Sequence, residues 1–169
     1  MIVEALLGTI YLAIVGARAV LAARVAHAQT PAPAHRGAGV DVAQAILSGD
    51  PRLADVLGDT VRALPEARFL WLVDEDDAVA QSTCATVKTV HPDARIDVLV
   101  VPTAPDRRNP KLWKLEAARQ AATSSVFLVL DDDTRMSSTT LGALVQALET
   151  HDLTTSLPAY RAGDTWPSQ

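Results

Sequence analysis

Short, unbroken apolar runs separated by stretches of helical spacing are the feature that most constrains this chain. Phe69-Leu70-Trp71-Leu72-Val73, residues 96–101 and Val126-Phe127-Leu128-Val129-Leu130 are each bounded by polar residues. Runs of this length, rich in branched and aromatic residues, predict strands buried on both faces, as in parallel sheets. Between them, residues 53–64 place apolar side chains at 53, 56, 57, 61 and 64, the spacing of one helix face. Residues 78–90, 111–122 and 137–148 predict three further helices, and 42–47 a first strand that ends in the turn Ser48-Gly49-Asp50-Pro51. Strands alternating with helices give βαβ units and a mainly parallel α/β sheet. Right-handed crossovers then bring the strand ends 47–50, 74–77 and 131–135 to one edge of that sheet.

Two of those ends are acidic. Asp74-Glu75-Asp76-Asp77 follows one run and Asp131-Asp132-Asp133-Thr134-Arg135 another. Adjacent carboxylates repel, by roughly 1 kcal/mol per pair at ~4 Å in water and by more near a protein surface. A solvated turn tolerates this, and Asp is also a good helix N-cap. A divalent cation turns the repulsion into an advantage, because Mg²⁺ or Mn²⁺ takes one or two carboxylates plus phosphate oxygens and water. The carboxyl edge of an open α/β sheet is where such ligands bind. An acid after an early strand can also accept from a ribose hydroxyl or a base N–H. Arg107, Arg108 and Lys111 stand at a loop-to-helix junction, where cations and helix N–H groups suit a diphosphate. The plainer alternatives are helix capping for the acids and a solvated turn for the cations.

The amino end reads differently. Residues 2–23 are almost wholly apolar, with Glu4 near the start and Arg18 near the end. A helix of that length would reach roughly 30 Å, which predicts a transmembrane anchor over residues 1–26. Arg18, Arg24 and Arg36 all follow the apolar core, so the positive-inside rule puts the rest of the chain in the cytoplasm. Ala26-His27-Ala28 resembles a signal-peptide cleavage site, but the basic residues lie on the wrong side of the core for one. Residues 27–40 have the Pro, Ala and Gly content of a linker, and His27 and His35 read as solvated. Residues 41–169 form the α/β domain. A mean hydropathy of +0.14 agrees with a membrane segment. The net charge of −5 argues against nucleic acid as a partner. Cys84, the single cysteine, excludes an intrachain disulfide and reads as a small buried residue. Trp71 and Trp113 read as core.

Taken in order, Ser48-Gly49-Asp50-Pro51-x-Leu53, Val73-Asp74-Glu75-Asp76-Asp77, Asn109-Pro110-Lys111 with Leu115, and Leu130-Asp131-Asp132-Asp133-Thr134-Arg135 carry a resemblance. The late Leu157-Pro158-Ala159-Tyr160 adds to it. Together they resemble the amino-terminal, donor-binding half of the ceramide glucosyltransferase-like group, of family-2/family-21 type, among the GT-A glycosyltransferases. The resemblance implies a GT-A, Rossmann-like fold and a membrane-anchored transferase moving sugar from a nucleotide-sugar donor, UDP-linked by expectation, to a sphingolipid-like or other lipid acceptor. It implies Asp74 and Asp76 on the nucleoside side, Lys111 near the diphosphate, and Asp131 with Asp133 as the D-x-D pair holding Mg²⁺ or Mn²⁺.

The same resemblance calls for a later acidic pair, whose Asp would act as general base, and for a Gln-x-x-Arg-Trp segment. Neither follows Asp133 in this sequence. General-base catalysis is worth typically 10²–10⁴-fold, so the domain reads as incomplete and the chain alone as a poor transferase, a truncated product or half of a split enzyme. A non-catalytic, membrane-tethered nucleotide-binding module is the alternative. An aspartate-nucleophile phosphatase also opens on an apolar strand and Asp-x-Asp. It wants Thr or Val where this chain has Arg135, and a first strand where this is the fourth.

Overall fold

The computed structural model describes residues 2–27, 32–156 and 158, and divides the chain into two units, Met1–Pro31 and Ala32–Gln169. The first unit is one helix, α1 (Ile2–His27). Its described side chains between Leu7 and Leu21 are exposed and mostly apolar. Among the described residues no helix is long and apolar enough to cross a membrane.

The second unit runs β1 (Val40–Ala45), α2 (Leu53–Ala63), β2 (Arg68–Asp74), α3 (Ala78–Val90), β3 (Arg95–Val101), α4 (Pro110–Ala121), β4 (Val126–Val129) and α5 (Ser138–Ala147). All strand pairs are parallel, in the order β3-β2-β1-β4. One core lies between the sheet and α2, α3 and α5. Val42, Ile46, Phe69, Trp71 and Val73 meet Leu53, Leu57, Val61, Cys84 and Leu141 there. A smaller one, with Ala43, Leu70, Leu72, Val101 and Ala118, lies under α4. The result is three layers, as the alternating sequence pattern predicts.

β4 departs from that prediction. Leu130, just beyond it, is buried, but Phe127 is 37% and Val129 46% exposed. Their register partners are Asp41 and Ala43, which puts them on the α4 side of the sheet. Among the described residues of this unit, α4 packs on that side over β1, β2 and β3, and β4 is the outermost strand. The expected linker also shortens. His35 N–H donates to Ser138 O, Glu66 N–H donates to the Arg36 carbonyl, and Gly37 (φ 99°) lies so close that a Cβ there would sit 2.5 Å from the Ala67 Cβ. Residues 32–39 thus belong to the α/β unit, and β1 starts two residues earlier than expected.

The amino-terminal edge of the sheet is tied by Asp41, fully buried in β1, whose carboxylate accepts from Thr123 N, Ser124 N and Ser124 Oγ at 2.6–2.9 Å. Burial pushes its carboxyl up, but those hydrogen bonds and Arg68 together hold it below the ordinary value of 3.8.

Candidate functional site

At the carboxyl edge the two acidic clusters meet the exit of β1. Asp132 Oδ2 accepts from Leu47 N at 2.9 Å, and Asp77 Oδ2 from Ser48 N at 2.8 Å. Asp77 also N-caps α3 through Ala80 N. Burial raises its carboxyl, and the bonds from Ala80 and Ser48, with Lys114 nearby, bring it below 3.8. Asp77 and Asp132 are therefore spent on holding the β1 turn. Beneath them Gln44, fully buried, takes the Trp71 Nε1 hydrogen bond at 3.0 Å and reaches the Asp131 carbonyl at 3.4 Å.

The first acid of each cluster meets a lysine from α4. Asn109 caps that helix, with Pro110 in its first turn. Lys111, half exposed, pairs with Asp131, itself 55% exposed. One turn on, Lys114 is 5% exposed and donates to Asp74 Oδ2 at 2.8 Å and to the Ile46 carbonyl at 3.0 Å. α4 thus sets Lys111 against Asp131 and, one turn on, Lys114 against Asp74, both at the carboxyl edge of the sheet. Asp133 is exposed beside them and accepts from Thr134 Oγ1. Asp76 is exposed and makes no hydrogen bond or ion pair with another described residue. Arg108 does not approach the acids: it lies over the Trp113 ring, 5.8 Å from its centroid, and Trp113 Nε1 donates to the Pro102 carbonyl. Cys84 is buried, its thiol pushed up to about 12 by burial and by Asp77 and Asp132, which leaves it inert as a nucleophile.

Lys114 and Gln44 escape the sequence reading. Lys114 had a signal: it lies four residues before Ala118, on the buried face of α4. A lysine on such a stripe needs a carboxylate nearby. Gln44 had none, because its partner Trp71 is set by strand register.

Among the described residues no group of three or more His, Cys, Asp or Glu is placed to hold a metal. Two hard oxygen ligands do remain. Asp132 turns inward to Leu47, while Asp131 and Asp133 are exposed on either side of it. Such a pair suits Mg²⁺ or Mn²⁺ once phosphate and water complete the shell.

The model of glycosyl transferase family 21 matches residues 2–169. The chain belongs to that family. Among solved structures, this family 21 chain is similar to the mannosyltransferase PcManGT from Pyrobaculum calidifontis, in complex with GDP-Man and Mn²⁺. The TM-score is 0.56 at 18% identity, over 83% of this chain and 42% of that one. This likeness supports the fold, and the family 21 chain spans less than half the length of the protein it matches. A search of curated proteins returned no match.

Proposed function

We propose that this chain is the donor-binding part of a nucleotide-sugar glycosyltransferase acting on a lipid acceptor. The observation that carries the reading is that α4 sets Lys111 against Asp131 and Lys114 against Asp74 at the carboxyl edge of the sheet. Asp74 and Asp76 face the nucleoside, and Lys111 takes the diphosphate. Asp131 and Asp133 would hold Mg²⁺ or Mn²⁺, which when bound stabilises negative charge on the departing nucleoside diphosphate. The exposed Lys111–Asp131 pair is the kind that contributes only about 0–1 kcal/mol. Lys111 can therefore exchange Asp131 for a phosphate at little cost, which frees the carboxylate. The relative's GDP-Man makes a guanosine donor as reasonable a first test as a uridine one. The described side chains of α1 are exposed and mainly apolar, and such a surface needs cover. We place that cover in a membrane, with the α/β unit on the cytoplasmic side.

Assay of the full chain with radiolabelled UDP- and GDP-sugars, Mn²⁺ and lipid vesicles tests the reading. Slow label transfer to lipid, lost in Asp131→Asn/Asp133→Asn, is expected. Transfer unchanged in that variant would overturn the metal assignment. The second reading is a membrane-tethered nucleotide-binding module. Metal-dependent nucleotide binding with no sugar release or transfer would decide for it.

A further inference from the structure

Lys114 on α4 is buried at the carboxyl edge of the sheet. Its side chain is 5% exposed, deep enough that an unpaired ammonium would be strongly destabilising. The ammonium has three donors. One goes to Asp74 at the end of β2 and one to the Ile46 carbonyl just past β1. A single cation thus ties together the ends of two neighbouring strands, and it occupies one oxygen of Asp74, Oδ2. Asp74 keeps 21% of its side chain exposed, so its other oxygen remains for a ligand. Lys111, three residues earlier on α4, is half exposed and paired with the other cluster. The two lysines therefore face different acids. Lys111 meets a group that must be free to exchange, and Lys114 fixes one that must stay in place.

We propose that Lys114 is a positioning residue for the nucleoside end of the donor, acting by orienting Asp74. This rests on the donor-site reading above, and it separates the two ends of the ligand: Lys114 governs nucleoside recognition and leaves diphosphate and metal binding alone. The test is calorimetric titration of the full chain with Mn²⁺ plus UDP or GDP, and separately with Mn²⁺ plus inorganic pyrophosphate. Lys114→Met is expected to weaken the nucleoside diphosphate by about tenfold, the size of one hydrogen bond to a charged group, and to leave pyrophosphate unchanged. Asp74→Asn should do the same, and the double variant should be no weaker than either single. Should Lys114→Met fail to fold, Lys114→Gln with Asp74→Asn keeps a neutral hydrogen-bonded pair and should show the same selective loss. Equal weakening of both ligands, or independent multiplying losses, would reduce Lys114 to a structural role and overturn the proposal. Wild-type chain that binds pyrophosphate as well as any nucleoside diphosphate would also overturn it. Binding indifferent to Asp131→Asn/Asp133→Asn would instead defeat the donor-site reading itself.

Discussion

β2 and β4 are near twins as sequence and differ as structure. Each is an apolar run that ends in a cluster of acids, and each cluster lends one carboxylate to an α4 lysine and another to the β1 turn. β2 lies between two strands with helices on both sides, and its residues from Phe69 to Val73 are wholly buried. β4 is outermost, and Phe127 and Val129 stay partly exposed. The same difference reaches the acids: Asp74 pairs with a buried lysine, and Asp131 with an exposed one. Inside the sheet the charges are locked, and at its edge they are free to exchange. A site that grips a nucleoside and lets a metal diphosphate come and go uses both kinds.

The comparison breaks most visibly in the cores. Trp71→Ala should cost about 3–5 kcal/mol and more if Gln44 is left unsatisfied, while Phe127→Ala should cost about 1 kcal/mol. Urea denaturation of the two variants checks this; equal losses would mean that β4 is covered. Next comes the turn that both clusters hold. Asp77→Ala removes an α3 cap as well as the Ser48 bond and should cost about 1–2 kcal/mol. Asp132→Ala should cost about 1 kcal/mol or less, since only the Leu47 bond goes. Lys111→Met, which breaks an exposed pair, should change stability by no more than about 0.5 kcal/mol, yet it should weaken binding of a nucleoside diphosphate with Mn²⁺.

Acid adds a further test. The carboxyls of Asp41 and Asp77 lie below their ordinary 3.8 in the folded chain. The folded state therefore holds their protons less tightly than the unfolded state. Their stabilisation is full above that ordinary value and is lost as pH falls through the lowered one. The denaturation midpoint should drop between about pH 5 and 2. Asp41→Asn should flatten that drop, and an unchanged slope would contradict the assignment.

Much of this was legible in the residues. The spacing of the apolar runs gave each described strand and helix of the α/β unit to within about two residues, because parallel strands and their crossovers share one hydrophobic logic. The meeting of the two acidic strand ends with the exit of β1 was legible as well, since crossover handedness alone brings those ends to one edge. The exposure of β4 was not, because an apolar run carries no mark of whether it will lie at the centre or the rim of a sheet. That Asp77 and Asp132 brace the β1 turn was not legible either. A carboxylate's partner depends on backbone N–H groups 29 and 85 residues away. The segment from Leu157 to Tyr160, apart from Pro158, lies outside the described residues.

The central claim is that the acids ending β4 hold a metal diphosphate at the sheet's carboxyl edge. Calorimetric titration of the full chain with UDP and GDP, with and without Mn²⁺, tests it most directly against Asp131→Asn/Asp133→Asn. Binding that needs Mn²⁺ and disappears in the double variant is the result expected. Equal binding by both proteins, or binding indifferent to Mn²⁺, would contradict it.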